Sequence, residues 1–361
     1  MNDTSSSPLD LAIVIVNYNT TALLRDCLRS VFASTGGLRL GVSVVDNASP
    51  DDSVAMARAE FPQVHVIANQ QNVGYPRANN QGLRHFGFAD LPVSPTEQKE
   101  SELARSASQG CFAKTGQSGK LFVDKSLPRF ALLLNPDTVL PPDALAEMLA
   151  FMAAHPRAGA AGPKLVRLDG SLDKACRRSF PTPATSLYHL LKLDRLFPHS
   201  PRFARYDLSY LDPDLVTRVD GIVGAFMLVR AEAIIGAGLL DETFFMYGED
   251  LDWAKRITDA GWDVWYNPQV TVLHIKEAAS RHSYRARVEF FRAMTLFYEK
   301  HYKATTPFYL DWAIRGGVWL FGGLDLLGRR LRGQYRAAGQ PASAAPGTGP
   351  GAASEGRSPT A

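Results

Sequence analysis

The sequence predicts an α/β fold, a mostly parallel doubly wound sheet followed by a C-terminal helical extension. Three observations lead there. Apolar, β-branched runs such as Leu11 to Val16 are continuous rather than alternating, the pattern of strands buried on both faces. Each run gives way to a segment of helical period, and the alternation repeats four times up to Met152. The runs also stop at Asn or Asp, and right-handed crossovers place all such strand ends on one edge.

The first strand ends at Asn17-Tyr18-Asn19-Thr20, where Asn19 or Thr20 is suited to cap a helix carrying Leu24, Cys27, Leu28 and Val31 on one face. Val42 to Val45 leads to Asp46-Asn47-Ala48-Ser49 and a short helix. Val64 to Ala68 leads to Asn72-Val73-Gly74-Tyr75-Pro76 and a helix through Asn80 and Leu83. Phe130 to Leu134 leads to Asn135-Pro136-Asp137, and Pro141 and Pro142 open the next helix. Between 88 and 129 periodicity is lost, which predicts a mobile surface insertion. Its Gly116-Gln117-Ser118-Gly119-Lys120 lacks phosphate-loop spacing, and Leu121 stands where Ser or Thr is needed.

Further on, Ala158 to Val166 reads as a strand and Asp169-Gly170 as a turn. The poorly periodic stretch from Arg177 to Val219 reads as a cover with room for an acceptor. Ile222 to Val229 reads as a strand in which Gly224 permits close approach of a ligand. Arg230 to Gly238 is a short helix, another begins near Glu249, and Trp262 to Tyr266 and Val270 to His274 read as two short strands. Val288 to Tyr302 is an aromatic-rich amphipathic helix. Phe308 to Leu331 is apolar but interrupted by Asp311, Arg315, Asp325 and Arg329, which argues against a membrane span. It reads either as a helix in a membrane interface, with Trp312 and Trp319 as anchors, or as a helix packed on the domain.

Composition narrows the function. A net charge of +3 on 361 residues gives no reason to expect nucleic acid. Three widely spaced cysteines make neither a zinc motif nor a disulfide framework, which fits a reducing cytoplasm. The polar first residues are not the pattern of a secretory signal.

The strand-end residues Asn17, Asp46, Asn72 and Asp137 fall on the edge where open α/β sheets bind ligands. Singly each is an ordinary turn residue; four in succession favour a site. Asp137, directly after a buried strand, suits a divalent cation held through oxygen, and His274 at a later strand end is able to complete the site. The stretch Phe244-Phe245-Met246-Tyr247-Gly248 ends in three carboxylates, Glu249, Asp250 and Asp252. An acidic first turn suits the helix dipole. The aromatic lead-in, however, resembles a pocket wall, and a carboxylate at a pocket mouth can serve as a general base.

The segments IVIVNYNTTALLRDCLRSV, VVDNAS, NVGYPRANNQGL, LLLNPDTVL, VDGIVGAFMLVR, LLDETFFMYGEDLDWAKRI and the strand ending VLH span about Leu11 to His274. In that order they resemble the family 2 glycosyltransferases of fold type A, in their bacterial rhamnosyltransferase-like branch. The resemblance implies an inverting, metal-dependent transfer from a nucleotide-diphosphate sugar, foremost dTDP-rhamnose, to an acceptor hydroxyl in surface polysaccharide or lipopolysaccharide biosynthesis. It implies Asn17 and Asp46 by the base and ribose, and Asn72 and Arg77 by the ribose and diphosphate. It implies Asp137 and His274 on Mg2+ or Mn2+, and Asp250 as the base. Asn135 stands where many members carry a first metal Asp, which lowers the negative charge there. Glu249 is expected to orient the acceptor, Gly224 to line the substrate, and Asp252 to pair with Arg256 one turn on. A UDP-hexose or galactofuranose donor is the alternative within the fold. A nucleotidyltransferase would want a Gly-rich, basic phosphate loop where this chain has Asn-Tyr-Asn-Thr, and a non-catalytic sugar-nucleotide module would be expected to lack Asp137 or Asp250. The expected organisation is a flexible 1–9, a transferase domain at 10–287, C-terminal helices at 288–336 and a disordered 337–361. The expected place of work is the cytoplasm, peripheral on the inner membrane face, with a lipid-linked or glycan acceptor.

Overall fold

The computed structural model describes residues 8–89, 127–276 and 284–332. Most of the expected insertion, the first seven residues and the expected tail lie outside the described residues.

The first half of the fold follows the alternation in the sequence. Strands β1 (Leu11–Asn17), β2 (Leu40–Asp46), β3 (His65–Ala68) and β4 (Phe130–Leu134) alternate with helices α1 (Thr21–Phe32), α2 (Ser53–Glu60) and α3 (Tyr75–His85). The three pairings β1–β2, β1–β4 and β2–β3 are all parallel, so Asn17, Asp46 and the turns after β3 and β4 share one edge. β1 and β4 are buried throughout, which is why both read as continuous apolar runs.

The second half turns the sheet mixed. It comprises β5 (Thr138–Val139), α4 (Ala144–Ala154), β6 (Ala158–Val166), α5 (Pro183–Leu190), α6 (Leu193–Leu196), β7 (Thr217–Arg218), β8 (Phe226–Arg230), α7 (Ala231–Ala237), α8 (Glu249–Asp259) and β9 (Asp263–His274). The nine strands among the described residues run β3-β2-β1-β4-β8-β6-β9-β5, with β7 on β9. β8 lies antiparallel between β4 and β6, while β6 and β9 are parallel. The C-terminal extension is α9 (Tyr284–His301) and α10 (Phe308–Leu331).

Three local expectations are corrected. The strand expected from Ile222 starts only at Phe226, after a turn in which the Phe226 amide donates to the Val223 carbonyl. The two short strands expected after Trp262 are one twelve-residue strand, β9, which passes Pro268 through an irregularity opposite Pro163 and Lys164. Thr20 occupies the cap position of α1 without a side-chain cap bond; its hydroxyl donates to Asn17 Oδ1 at 2.6 Å.

α10 packs on the preceding helix, the second of the two readings that its sequence allows. One side packs on α9: Gly322 lies under Phe291, Arg287 pairs with Asp325 at 2.6 Å, and the Tyr298 hydroxyl donates to Asp311. The charges that interrupt the apolar run therefore have partners. The opposite side leaves Phe308, Trp312, Trp319 and Leu331 about 80% exposed. Among the described residues no helix is long and apolar enough to cross a membrane.

Gly82 shows how closely α3 lies on the sheet. A β-carbon at that position would overlap the side chain of Val14, a stiff β-branched residue of β1. Gly82→Ala is therefore expected to destabilise the chain by about 1–3 kcal/mol, read from the midpoint of urea unfolding; an unchanged midpoint would mean that α3 can slide off β1.

Candidate active site

The edge at the ends of β1 and β2 is a closed hydrogen-bond network. Asn17 Nδ2 donates to Asp46 Oδ2 at 2.8 Å, and Ser49 donates to both Asp46 oxygens, through its amide at 2.8 Å and its hydroxyl at 2.6 Å. Asn17 and Asp46 are both buried. Ala48, just before Ser49, takes a left-handed φ of 66° so that the loop can close.

The turn after β3 forms locally. Asn72 Oδ1 accepts from the Gly74 amide at 3.0 Å, which fixes the entry into α3. Gly74, at φ 88°, leaves no room for a β-carbon against the Phe245 carbonyl, and the Tyr75 amide donates to that same carbonyl at 2.8 Å. This is how the aromatic lead-in reaches the sheet edge. Arg77, one residue past Pro76, is exposed and donates to Glu242 at 2.8 Å.

Tyr75 joins the two halves of the site. Its hydroxyl lies 3.1 Å from Asn135 Oδ1 and 2.9 Å from the Gly224 carbonyl, so one proton is shared between two acceptors. Burial, with Glu249 nearby, pushes this phenol well above its ordinary range. Gly224 does receive a close approach, and the group that approaches is Tyr75: a β-carbon there would stand 3.1 Å from the hydroxyl.

The three carboxylates of α8 have three different surroundings. Asp250 Oδ2 accepts from Arg178 Nη2 at 2.6 Å and from the Gly224 amide at 3.3 Å, while Oδ1 accepts from the Leu251 amide. Burial works against the charge on Arg178, and Asp250 and Tyr206 more than offset it. Glu249 is buried beside Asp250, and its Oε2 has no hydrogen-bond donor. Burial and repulsion from Asp250 push its pKa well above the ordinary carboxylate range. Asp252 is wholly enclosed. It accepts from Arg256 at 2.9 Å and pairs with His301 and Lys300, each at 2.8 Å. Burial alone would raise it, but His301, Arg256 and Lys300 prevail and hold it at about 2.

Asp137 and His274 meet at 3.3 Å, because Thr138 of β5 is in register with His274 of β9. The contact is not aligned as a hydrogen bond, and Asp137 Oδ1 is buried with no donor. On the other side His274 Nδ1 lies 2.9 Å from Asp173 Oδ2, and Lys276 reaches the same carboxylate at 2.9 Å. Burial opposes protonation of His274, yet the two carboxylates raise it to about 9. A carboxylate oxygen without a donor beside an imidazole whose far nitrogen is pinned by a second carboxylate fits a divalent cation site.

The structure thus brings together Asn17 with Asp46, Asn135 with Gly224 and Asp250, and Asp137 with His274. It holds Arg77 apart, on Glu242. Three residues of the site are not picked out by the sequence: Tyr75, Arg178 and Asp173. Tyr75 has a signal, its place between Gly74 and Pro76; the other two lie in stretches without period.

A mixed sheet with polar strand ends gathered on one edge and Asp137 beyond β4 is the layout of the type A glycosyltransferase fold. The chain belongs to the glycosyltransferase-like family 2, whose model matches residues 8–289, and it is a glycosyltransferase enzyme. Its relatives include the N-acetylglucosaminyl-diphospho-decaprenol L-rhamnosyltransferases of two Mycobacterium tuberculosis strains, CDC 1551 and H37Rv. Each is 29% identical over 266 residues, 74% of this chain and 76% of the relative. The fold is similar to that of GalNAc-T7, solved with UDP, GalNAc and Mn2+. The TM-score is 0.50 at 14% identity, over 81% of this chain and 48% of that one.

The separate duty of Asp252 gives a stability test. Its pKa is depressed from 3.8 to about 2, so its contribution is present above 3.8 and is lost as pH falls through about 2. Asp252→Asn is expected to cost about 3 kcal/mol at neutral pH and to flatten that acid limb. Urea unfolding at several pH values reads both; an unchanged limb would take the ion pairs out of the account.

Proposed function

We propose that the chain is an inverting, metal-dependent rhamnosyltransferase. It would move rhamnose from dTDP-rhamnose to a hydroxyl of a lipid-linked acceptor in the building of a surface polysaccharide. The observation that carries this reading is the setting of Asp250, a buried carboxylate fixed by Arg178 and the Gly224 amide beside the strand-edge groups. The names of the mycobacterial relatives support the sugar and the type of acceptor.

On this reading Asn17 and Asp46 face the nucleoside, and Asn72 and Arg77 the ribose and diphosphate. Asn135, held by Tyr75, and Gly224 line the donor sugar. Asp250 accepts the proton of the acceptor hydroxyl as that oxygen forms its bond to the anomeric carbon. The bond to the diphosphate oxygen breaks on the opposite face, and the anomeric centre inverts without a covalent intermediate. Glu249, whose hold on its proton is strengthened by burial and by Asp250, orients the acceptor. Asp137 and His274 would hold Mg2+ or Mn2+, which when bound offsets the negative charge of the diphosphate.

Asp250→Asn is expected to lower turnover by roughly 10²–10⁴-fold, while a thermal shift with dTDP-rhamnose and Mn2+ stays as in the wild type. Wild-type turnover by this variant would remove Asp250 from the role. A larger shift with UDP-hexoses than with dTDP-rhamnose would change the donor, and donor binding without transfer would favour a sugar-nucleotide module.

The exposed face of α10, with Trp312, Trp319 and the neighbouring Arg329, Arg330 and Arg332, supports work at the surface of an anionic membrane. Trp312→Ser with Trp319→Ser is expected to abolish co-sedimentation with vesicles containing phosphatidylglycerol while transfer to a soluble acceptor analogue persists. Equal sedimentation of both proteins would leave the face without this duty.

A further inference from the structure

A second group of donors lies outside the site described above, in the cover between Pro183 and Asp207. One ligand-competent atom each from His189 on α5, Asp194 on α6 and Asp207 falls within 4.8 Å of the others. Atoms bound to one cation at about 2.0–2.2 Å stand about 3–4 Å apart, so side-chain rotation closes the difference.

Asp194 points to a missing partner. Its side chain is 5% exposed. One oxygen meets His189 Nδ1 at 3.1 Å, but Oδ1 is buried with no hydrogen-bond donor. A buried carboxylate oxygen left in that state is costly, and a cation is what offsets it. Lys174 does not supply this charge: its exposed amine approaches Asp207, at 3.6 Å, rather than Asp194.

We propose that His189, Asp194 and Asp207 bind a divalent transition-metal cation, Zn2+ being the species that suits an imidazole and two carboxylates. The site is structural. α5 and α6 leave Leu187, Leu191 and Leu196 about half or more exposed, so apolar burial does little to hold them. A cation would tie both helices to Asp207. The preceding Tyr206 packs near His189, with ring centres 5.0 Å apart, and stands near enough to Arg178, the partner of Asp250, to raise its pKa. Its carbonyl accepts from the Ser179 amide at 2.9 Å. The bound cation thereby fixes the segment from which Arg178 is braced. The inference does not rest on the choice of donor sugar or on metal use at Asp137.

The test uses the full chain carrying Asp137→Asn, stripped with chelator and titrated with ZnCl2 against a chromophoric chelator. One zinc per chain is expected to remain. Adding His189→Ala, at a half-exposed position, or Asp194→Asn is expected to abolish it, with the far-ultraviolet dichroism unchanged in the His189 variant. Mg2+ is expected not to compete. Zinc should also slow proteolysis between 183 and 207, and should not do so after His189→Ala. Absence of zinc from the Asp137→Asn chain, or its retention after His189→Ala, would overturn the proposal and leave the cluster as ion pairs with Lys174.

Discussion

The enclosure of Asp252 is the constraint on which the site's geometry depends. Its carboxylate is fully buried and is met by Arg256 from the next turn of α8 and by Lys300 and His301 from the end of α9. Successive helical residues are about 100° apart, so Asp250 points roughly opposite to Asp252. Fixing Asp252 toward α9 therefore aims Asp250 at Arg178 and Gly224. Trp253 adds a second tether through its indole N–H to the Gly238 carbonyl, and Arg256 reaches the Ala237 carbonyl. Phe244 and Leu251 close the contact by packing with Ala293 and Phe297 of α9. The C-terminal extension is thus part of what orients α8.

Backbone strain gathers on the same edge. Of the non-glycine residues with positive φ, Asn19, Ala48, Tyr247 and Lys276 lie within two residues of Asn17, Asp46, Glu249 and His274 respectively. Such conformations cost about 1–3 kcal/mol each and persist where surrounding contacts over-determine them. Here the contacts are visible: Ser49 locks the loop around Ala48, and Asp173 holds Lys276. The strain is met by side chains that belong to the site, so the loops are preorganised by the groups that they carry.

What is legible in the sequence follows from what is local. β4 and β6 and the long helix α10 fall where the apolar patterns put them, and Glu249 does begin α8. Asp252 pairs with Arg256 because four residues separate them on one helix. Partners distant in the chain are not legible. Arg178 is 72 residues from Asp250 and Asp173 is 101 from His274, and neither stands in a periodic stretch. The shortened β8 has the same origin, since Gly224 is taken by Tyr75 and Asp250, both distant in the chain. Pro268 has the appearance of a strand break, and only the bulge opposite Pro163 and Lys164 lets β9 continue.

Three acidic residues within four positions would ordinarily repel one another, and the fold accommodates them by giving each different surroundings. Asp252 is held low because Arg256, Lys300 and His301 all reach it. Glu249, buried beside Asp250, is pushed the other way. Asp250 has the guanidinium of Arg178. Different surroundings for adjacent carboxyls allow them different duties in one site. On the proposed reading, Asp250 receives the proton of the acceptor and Glu249 orients that acceptor, and Arg178 reaches only the first of the two.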